Sequence, residues 1–452
     1  MYRDQATALG PLSSCGPGGS APLNIAVVGS GISGLSAAWL LGKRHRVTLF
    51  EADGRIGGHS NTVDVAGIPV DTGFIVFNEA TYPNLTAMLR HLDVASTPTE
   101  MSFAVSLQGG AHEYSGSGLR GVFAQARNAL RPRFWAMLRD LLRFYREAPG
   151  DLAALGDESL DAYLTRTGYS AAFREDHLYP MAAAIWSSPA LGIRDYPAAA
   201  FIRFCRNHNL LQTGARPPWH TVQGGSRSYV EALLRQFSGT VQSGTPVRRI
   251  VRHAAGVTLE TQAGPQHFDH VVIAAHADQA LAMLAQPSPA ERDLLGTFAY
   301  SLNEAVLHSD PAQMPQRRKV WSAWNFLAGR DAAASPAVTY WMNRLQHLET
   351  AVPMLVTLNP LTPPDPALVH WQGTYLHPVF DSAAIAAQHQ LWSLQGRRNT
   401  WFCGAYFGAG FHEDGLQAGL AVAEQLGGLA RPWHLAEPSD RITVTRQHLA
   451  PA

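Results

Sequence analysis

The chain has 452 residues, of which 46% are hydrophobic and only 15% are charged. This length is sufficient for two packed domains, and a formal net charge of zero gives no electrostatic reason to expect a nucleic acid as partner. The three cysteines are widely separated and odd in number, which excludes a disulfide framework and a C-x-x-C metal site. We therefore predict no metal, no nucleic acid and a reducing, cytoplasmic location.

The first 23 residues are rich in glycine, serine and proline. They lack the apolar region of a signal peptide, and no later run has the length of a transmembrane helix. We predict that residues 1–23 form a disordered tail and that ordered structure begins at Asn24.

A strand, a helix and a second strand are predicted directly after the tail. Ile25–Val28 is a short apolar run that ends at a glycine, Ile32–Leu41 is an apolar helix, and Arg46–Glu51 is the next strand. This spacing is typical of a βαβ unit with two parallel strands.

The rest of the chain alternates between helical and strand patterns. Residues 118–195 have helical periodicity, whereas Pro-Pro and Gly-Gly pairs predict a loop over 217–225. Further strands are predicted at Thr245–Arg252, Val257–Thr261 and His270–Ala275, a second sheet within 323–359, and a helix at Gly415–Leu426.

These elements indicate an α/β fold whose two domains are interleaved in sequence. A discontinuous Rossmann-like domain is predicted from 24–95, 215–285 and 395–430. A mixed α+β substrate or lid domain is predicted from 96–214 and 286–394, and residues 431–452 form a C-terminal extension.

The segment from Gly29 to Gly34 has the pattern G-x-G-x-x-G between the first strand and the first helix. Its glycines permit a tight turn, the close approach of a pyrophosphate at Gly31 and Ser33, and contact between helix and strand. Glu51 ends the second strand, where a carboxylate accepts hydrogen bonds from a ribose and disfavours NADP. A glycine-rich turn without a ligand is the alternative, and this pattern alone does not distinguish FAD from NAD.

Several later motifs resemble the superfamily of amine oxidases, protoporphyrinogen oxidases and phytoene desaturases. The run Glu51-Ala52-Asp53-Gly54-Arg55-Ile56-Gly57-Gly58-His59 resembles its E-x-x-x-R-x-G-G motif, and Asp71-Thr72-Gly73-Phe74 resembles its D-x-G stretch. Pro246-Val247, Phe402-Cys403-Gly404 and Gly415-Leu416 resemble segments near its adenine and flavin. The resemblance implies that FAD is contacted by Ala52, Arg55, Gly57, Gly58, His59, Gly73, Phe74, Val247, Gly404, Gly415 and Leu416. It implies non-covalent attachment, because no cysteine stands where amine oxidases attach flavin.

A closer similarity is to bacterial FAD-dependent amine-oxidase-like oxidoreductases, also called predicted NAD/FAD-binding proteins. It is carried by M-A-A-A-I-W-S at 181–187, W-H-T-V-Q-G-G-S at 219–226, V-T-Y-W-M-N-R-L-Q at 338–346 and similar stretches. Such proteins are often encoded beside cyclopropane-fatty-acid-synthase-like methyltransferases, so the resemblance implies a fatty acyl substrate.

The chain departs from the amine oxidases at positions near the flavin. His59 replaces the usual arginine, Ala405 follows Gly404 in place of a glutamate, and His412 stands at one of two aromatic positions that hold an amine. The only lysines, Lys43 and Lys319, are expected to be exposed, so neither fits the lysine that many amine oxidases place near flavin. A primary amine is therefore disfavoured as substrate.

His412 has two interpretations. As a catalytic residue it contacts substrate, whereas as a structural residue it forms hydrogen bonds at the start of the last helix with Glu413 and Asp414. The structural interpretation is favoured, because histidines on apolar faces are more often structural. Trp186 and the 321–326 cluster are likewise expected in the core.

Residues 120–146 combine seven arginines with aromatic residues and leucines in a basic amphipathic stretch. An ordinary lid helix is the simpler interpretation, and peripheral contact with the inner membrane face is the alternative.

These observations predict an FAD-dependent oxidoreductase that acts by hydride transfer between flavin and an apolar substrate, a modified or unsaturated fatty acyl chain. The alternatives are an amine oxidase, a non-redox flavoenzyme similar to sugar mutases, and a flavin-free binding protein similar to Rab GDP-dissociation inhibitors.

Overall fold

A computed structural model describes residues 21–186, 190–207, 210–211, 218–329 and 336–445. Most of the predicted tail and the last seven residues of the predicted C-terminal extension lie outside these ranges, so the tail stays a prediction.

Helices and strands alternate along the described part of the chain. The helices are α1 Ile32–Leu41, α2 Pro83–His91, α3 Gly118–Val122, α4 Pro132–Asp151, α5 Leu160–Arg166, α6 Ala171–Phe173, α7 Tyr179–Trp186, α8 Ala190–Arg194, α9 Ala198–Asn207, α10 Arg227–Gln236, α11 Ala277–Met283, α12 Pro289–Leu295, α13 Met342–Leu345, α14 Ser382–Gln388 and α15 His412–Gly427. The strands are β1 Asn24–Val28, β2 Arg46–Phe50, β3 Thr62–Val65, β4 Ile68–Asp71, β5 Phe77–Asn78, β6 Ser96–Thr99, β7 Phe103–Leu107, β8 His112–Ser115, β9 Trp219–Val222, β10 Thr240–Gln242, β11 Arg249–His253, β12 Gly256–Thr261, β13 Gly264–Phe268, β14 His270–Ile273, β15 Ala299–His308, β16 Trp324–Leu327, β17 Ala337–Trp341, β18 Leu355–Leu358, β19 Val369–Val379 and β20 Thr400–Phe402.

A five-stranded parallel sheet in the order β10-β2-β1-β14-β20 forms the first layer. Its central strand β1 is apolar on both faces because helices cover both sides of such a sheet, and Ile25, Ala26 and Val27 are fully buried. α1 is buried along its whole length and packs against α15. Since its strands come from four separate parts of the chain, the prediction of a discontinuous Rossmann-like fold is confirmed.

A second, seven-stranded sheet has the order β19-β15-β18-β17-β16-β7-β8. Its strands β16, β17 and β18 lie within 323–359, where the sequence predicts a second sheet. Helices α3 to α9 lie within and just beyond 118–195, where a helical pattern is predicted. Smaller antiparallel sheets are formed by β11–β13, by β3 and β4, and by β5, β9 and β6. Among the described helices, none is long and apolar enough to cross a membrane.

Three predicted elements differ in the structure. The loop predicted at 217–225 contains β9, because its aromatic and β-branched residues pair with both β5 and β6 between the flanking Pro and Gly pairs. The strand predicted from Thr245 begins only at Arg249, after Pro246, which has no N–H to donate. The last helix begins at His412 and not at Gly415, since the Asp414 carboxylate accepts a hydrogen bond from Phe411 N (2.7 Å) and stabilises the earlier start.

The described part of the C-terminal extension packs back on α15 and α2. Arg431 pairs with Glu424, and Arg441 forms a buried ion pair with Asp414 in the first turn of α15 (Nε to Oδ1, 2.6 Å). Arg441 also donates to the carbonyl oxygen of Thr81 (2.8 Å). These contacts fix the start of α15, which carries His412.

Candidate active site

One cavity of about 1730 Å³ lies where the two sheets meet. Its walls include residues at the carboxyl ends of the parallel strands β1, β2, β14 and β20, together with Trp324, Tyr340 and Tyr375 of the seven-stranded sheet. The carboxyl edge of a parallel sheet is where ligands bind in such folds. The volume exceeds the roughly 300–1,000 Å³ of a pocket for a drug-sized ligand, so the cavity can hold a dinucleotide and a substrate together. We call the end at the parallel strands the nucleotide half and the rest the substrate half.

The nucleotide half begins at the glycine-rich turn. Gly29 has a φ of +101°, and a Cβ added to Gly34 would overlap the carbonyl oxygen of Gly29, so both positions require glycine. A Cβ at Gly31 would meet nothing within 4 Å, which leaves open space above the turn. No side chain caps α1, so its first N–H groups are available to an anionic ligand. The turn therefore fits a pyrophosphate.

Glu51 connects the glycine-rich turn to the second strand. Its carboxylate accepts hydrogen bonds from Ser30 N (2.8 Å), Ser30 Oγ (2.5 Å) and Asp53 N (3.0 Å), and it lines the cavity. Remaining lone pairs of the carboxylate can accept hydrogen bonds from ribose hydroxyls. Glu51 thus both holds the turn and faces the ligand space.

The E-x-x-x-R-x-G-G segment is fixed against this turn. Gly57 N donates to Ser30 Oγ (3.1 Å), while the Arg55 guanidinium donates to the carbonyl oxygens of Gly58 (2.7 Å) and Ser60 (3.1 Å). The loop is held by its own backbone contacts and presents Arg55, Gly58 and His59 to the cavity.

Asp71 fixes the D-x-G stretch from behind. Its buried carboxylate accepts hydrogen bonds from Thr62 Oγ1 (2.6 Å), Ser226 N (2.9 Å) and Gln346 Nε2 (2.9 Å). Burial is the largest influence on this carboxyl group and raises its pKa to about 6. The network positions Gly73 and Phe74, which line the cavity.

Most of the predicted site residues line this one cavity. Those that do are Gly29, Gly31, Ser33, Glu51, Ala52, Arg55, Gly58, His59, Gly73, Phe74, Val247, Gly404 and His412. The remaining predicted residues lie behind those that line the cavity; they are Gly34, Gly57, Gly415 and Leu416. Gly415 packs on Ser33, and Leu416 is fully buried in the core. Because α15 begins three residues earlier than predicted, His412 reaches the cavity in place of Gly415 and Leu416.

Five histidines are among the described lining residues. His177 lies beside Tyr114 in the substrate half, and the other four, His59, His276, His377 and His412, lie between the two halves. The His59 ring stacks on Tyr375 (4.9 Å between centroids) and lies 5.8 Å from the His377 ring. Burial, followed by the neighbouring His377, lowers the pKa of His59 to about 3. Burial also lowers the pKa of His377 to about 4. These imidazoles are therefore neutral near pH 7, and within the described ranges they form no group that could hold a metal ion.

His412 faces the cavity, and no described hydrogen bond joins its side chain to the start of its helix, so the contacts predicted for it there are not observed. Whether it is a catalytic or a structural residue stays a prediction. Its ring stacks on Phe74 (3.9 Å between centroids), and its Nε2 lies 2.6 Å from the Tyr229 hydroxyl. That hydroxyl is in turn hydrogen-bonded to Ser60 Oγ. Burial lowers the pKa of His412 to about 3.

The acidic neighbours of His412 accept hydrogen bonds at the starts of two helices. Glu413 accepts hydrogen bonds from Asn84 N (3.0 Å) and Leu85 N (2.9 Å) at the start of α2. Asp414 accepts the Phe411 N–H at the start of α15 itself. His412 is thereby free to point into the cavity.

The substrate half is lined by apolar and aromatic side chains from helices and from the seven-stranded sheet. They are Met101, Phe103, Tyr114, Val122, Leu138, Leu141, Tyr145, Met181, Ile185, Phe204, Leu210, Trp324, Tyr340 and Leu358. Trp324 is buried in the core, as expected, and it also contributes to the wall of this cavity. Trp321 packs against Met314 and Leu355. The Trp186 side chain lies outside the described residues.

The charged residues of the described lining are confined to the nucleotide half. They are Glu51, Asp53 and Arg55. Both lysines are exposed, as predicted, and the Lys43 ammonium lies 4.3 Å from the centre of the Trp39 ring, away from the cavity. Among the described residues, the substrate half has no carboxylate that could form an ion pair with an ammonium group.

Sequence reasoning missed His276, His377 and the Tyr229–Ser60 pair. His276 lies three residues after the end of β14 and directly after the strand predicted at His270–Ala275, at the edge where ligands bind, so its position is a signal that the sequence contains. His377 and Tyr229 lie on a long strand and a helix with no motif, and only the folded chain brings them to the cavity.

Comparison with known proteins decides the family. The sequence profile described as flavin containing amine oxidoreductase matches residues 32–427. The chain belongs to this family. The family binds FAD, and the nucleotide half fits that cofactor through its glycine-rich turn, the uncapped start of α1 and Glu51. None of the described lining residues is a cysteine, which is consistent with non-covalent binding.

A curated relative in this family is the flavin-containing monoamine oxidase AofH of Mycobacterium tuberculosis, 29% identical over 263 residues. The match covers 56% of this chain and 56% of that protein, so the chain spans little more than half the length of the curated relative.

Two solved structures show the same fold. A fatty acid isomerase from P. acnes that produces CLA has a TM-score of 0.62 at 15% identity, covering 88% of this chain and 97% of its own. A putrescine oxidase bound to putrescine has a TM-score of 0.65 at 15% identity, covering 90% and 99%. The fold is therefore shared by proteins named for an amine substrate and for a fatty acid.

Proposed function

We propose that the protein is an FAD-dependent oxidoreductase whose substrate is a long acyl chain. The observation that carries this proposal is a cavity that joins a nucleotide half to an apolar half, whose described lining residues include no Asp, Glu, Lys or Arg. FAD, when bound, supplies the two-electron redox chemistry. The chain's own residues bind the cofactor, orient the substrate and exclude water.

The lining of the substrate half favours an acyl chain over an amine. An alkyl chain is stabilised by contact with Leu138, Leu141 and Met181, at about 0.8 kcal/mol for each buried methylene. An ammonium group in the same space would lose its hydration without gaining a carboxylate partner. The exposed positions of Lys43 and Lys319 also leave this half without the lysine found near flavin in many amine oxidases.

The absence of arginine and lysine from the described part of the substrate half also constrains the acyl group. A free carboxylate buried there would be unpaired, which is costly. We therefore propose an acyl chain whose polar end is an ester or lies outside the cavity, as in a phospholipid.

His412 is the residue that we propose to contact and orient the substrate. Its neutral imidazole contacts the Tyr229 hydroxyl through Nε2 and stacks on Phe74, so its orientation is fixed. Tyr229 and Ser60 continue the hydrogen bonds away from the cavity. Because burial lowers the pKa of His412 to about 3, its ring stays neutral and can contact an apolar substrate without placing a charge in the site.

Isomerisation of an acyl chain without net redox is the second candidate function. It is favoured by the fold shared with the P. acnes fatty acid isomerase. The same cavity serves both candidates, and they differ in whether electrons remain on the flavin after turnover.

Anaerobic mixing tests the proposal. The purified flavoprotein is mixed with a panel of phospholipids that carry saturated, unsaturated or methylated chains, and with a panel of amines. We expect a lipid either to bleach the oxidised flavin band or to restore it in the dithionite-reduced protein. An altered double bond with no net flavin change identifies the isomerase. Bleaching by an amine, with no response to any lipid, contradicts the proposal.

A further inference from the structure

We propose that one surface of the protein binds an anionic lipid bilayer. This surface, which we call the basic face, is formed by the outer sides of α3, the following 3-10 turn and α4. It consists of Leu119, Arg120, Leu130, Arg131, Trp135, Arg139, Leu142 and Arg146. This inference rests on the proposed function. It adds to that function the source of the acyl chain, which is the bilayer.

The hydrophobic residues of the basic face are exposed to an unusual degree. Leu119 is 78% exposed and Leu130 is 86% exposed, while Trp135 and Leu142 are 52% and 55% exposed. Four of the ten large hydrophobic side chains that are exposed in the described residues thus fall within 24 consecutive positions. Such a concentration marks an interaction site and is not the scattered exposure of an ordinary surface.

α4 has two different faces. Trp135, Arg139, Leu142 and Arg146 recur at intervals of four, three and four residues, which places them on one side of the helix. On its other sides, Phe134, Met137 and Phe144 are buried, and Leu138, Leu141 and Tyr145 line the cavity. Packing of the lid helix therefore explains the inner residues. Trp135 donates to the carbonyl oxygen of Ala129 (2.8 Å) and packs on Phe123, yet half of its side chain remains exposed, as does that of Leu142.

The charge of this surface is complementary to anionic headgroups. Residues 118–147 contain seven arginines and two carboxylates, Asp140 and Glu147. Asp140 is buried and accepts a hydrogen bond from Ser170 N (2.8 Å). Among the described residues, ion pairs engage Arg133, Arg139, Arg143 and Arg146. Arg120 and Arg131 form none, so their charge is available to an external anion.

A bilayer fits the basic face better than a second copy of the chain. A two-fold contact through this surface would bring the same arginines of both copies together, and like charges would oppose it. An anionic bilayer instead offers phosphates to Arg120 and Arg131, and its interfacial region is where tryptophan is enriched.

Docking through this face would bring the substrate half near the lipid. Leu138 and Leu141 line the cavity on the inner side of the same helix that carries Trp135 and Leu142 outside. Leu138 lies one helical turn from the exposed Leu142, so the headgroups and the cavity would contact neighbouring sides of one helix, which is roughly 10 Å wide. An acyl chain need not cross bulk water to reach it.

Vesicle flotation with the intact flavoprotein tests this inference. Vesicles of phosphatidylcholine alone are compared with vesicles that contain phosphatidylglycerol, at low and high salt. We expect binding to the anionic vesicles only, and loss of binding as salt rises. The double variant Arg120→Gln/Arg131→Gln should bind about 25-fold more weakly, because each basic contact contributes roughly a factor of five. Leu130→Ser/Trp135→Ser should also weaken binding.

Matched control variants separate this surface from general effects. Arg235 (69% exposed side chain) and Leu302 (71%) are exposed elsewhere, so Arg235→Gln/Leu302→Ser should bind vesicles as the wild type does. No binding to anionic vesicles, or an equal loss in the control, overturns the inference. So does a wild-type protein that self-associates through the basic face without binding vesicles, as sedimentation with and without the double variant would show.

The result of the vesicle experiment can be distinguished from the result of the flavin experiment that tests the proposed function. If the protein binds vesicles through this face but no lipid changes its flavin absorbance, the result supports the docking surface and contradicts the acyl substrate. If detergent-dispersed lipid changes the flavin absorbance equally in the wild type and in Arg120→Gln/Arg131→Gln while neither binds vesicles, the result supports the acyl substrate and contradicts the docking surface.

Discussion

The two halves of the cavity are built on different physical principles. In the nucleotide half the backbone makes the site, since Gly29, Gly31 and the start of α1 create open space beside free N–H groups. In the substrate half the side chains make the site, and they come from helices and strands that are distant in sequence. A site made by the backbone requires glycines at fixed spacing, and this spacing is visible in the sequence as a motif. An apolar wall requires only side chains of suitable shape, so it produces no motif.

This difference determines which substitutions each half of the cavity can tolerate. A change at a motif glycine disturbs the turn itself, while a change in an apolar wall alters the volume and leaves the cofactor site intact. We therefore expect substitutions in the two halves to have separable effects, with the largest at the glycine-rich turn and the smallest in the apolar wall.

The largest effect is expected for Gly34→Ala. The new Cβ would overlap the carbonyl oxygen of Gly29, which belongs to the backbone and cannot move aside. We expect loss of bound FAD and a decrease of more than about 3 kcal/mol in the free energy of unfolding. Flavin absorbance per protein and denaturant unfolding measure both.

Gly54→Ala is the matched control, because the exposed Gly54 has nothing within 4 Å of an added Cβ. It should keep wild-type flavin content and stability. A Gly34→Ala protein that retains both would contradict the role of the turn.

The next largest effect is expected for Glu51→Ala. The variant loses a charged acceptor that also holds Ser30 N and Asp53 N. FAD binding should weaken by about 1.5–3 kcal/mol, while the chain remains folded. Glu51→Gln, which keeps one acceptor oxygen, should lie between the wild type and the alanine variant. Wild-type flavin occupancy of Glu51→Ala on dilution would show that Glu51 does not contribute.

The same difference sets how much could be predicted from the sequence. The glycine-rich turn, β1, β2, α1 and the discontinuous sheet follow from local patterns, because backbone geometry restricts the residues that are allowed there. His377 and Tyr229 could not be predicted, since their approach to the cavity depends on long-range pairing. The contacts of His412 could not be predicted, because the start of α15 is fixed by Asp414 and Arg441, and Arg441 lies 27 positions after Asp414 in the chain.

A smaller effect concerns the dependence of stability on pH in the flavin-free protein. The pKa of His377 is lowered in the folded chain from 6.5 to about 4. Between these values the unfolded chain binds the extra proton, so this histidine makes the protein less stable as pH falls below 6.5. Its contribution is about 1.4 kcal/mol for each pH unit.

His377→Asn should remove this contribution and so make the loss of stability on acidification less steep. Chemical unfolding at several pH values between about 4.5 and 7.5 measures the difference from the wild type. His434→Asn, at an exposed histidine, is the control and should leave the slope unchanged. The same slope in His377→Asn and wild type would show that His377 is not buried in its neutral form.

The smallest effect is expected for Leu141→Trp in the substrate half. The larger side chain fills part of the apolar space and should exclude the end of a long chain, at about 0.8 kcal/mol for each excluded methylene. Flavin content should stay at the wild-type level. Leu142→Trp, one position along α4 and exposed, should alter neither property. Reduced flavin content in Leu141→Trp would mean that the two halves are not separable.

The most direct test of the acyl-chain assignment is a binding titration of the flavoprotein with acyl esters of increasing chain length and with alkylamines of matched length. Perturbation of the flavin absorbance reports binding next to the cofactor. We expect the dissociation constant of the esters to fall about fourfold for each added methylene until the substrate half is filled, and no amine to bind more tightly than the ester of the same length. Ester affinity that does not depend on chain length, or tighter binding of the matched amines, would contradict the assignment of the substrate half to an acyl chain.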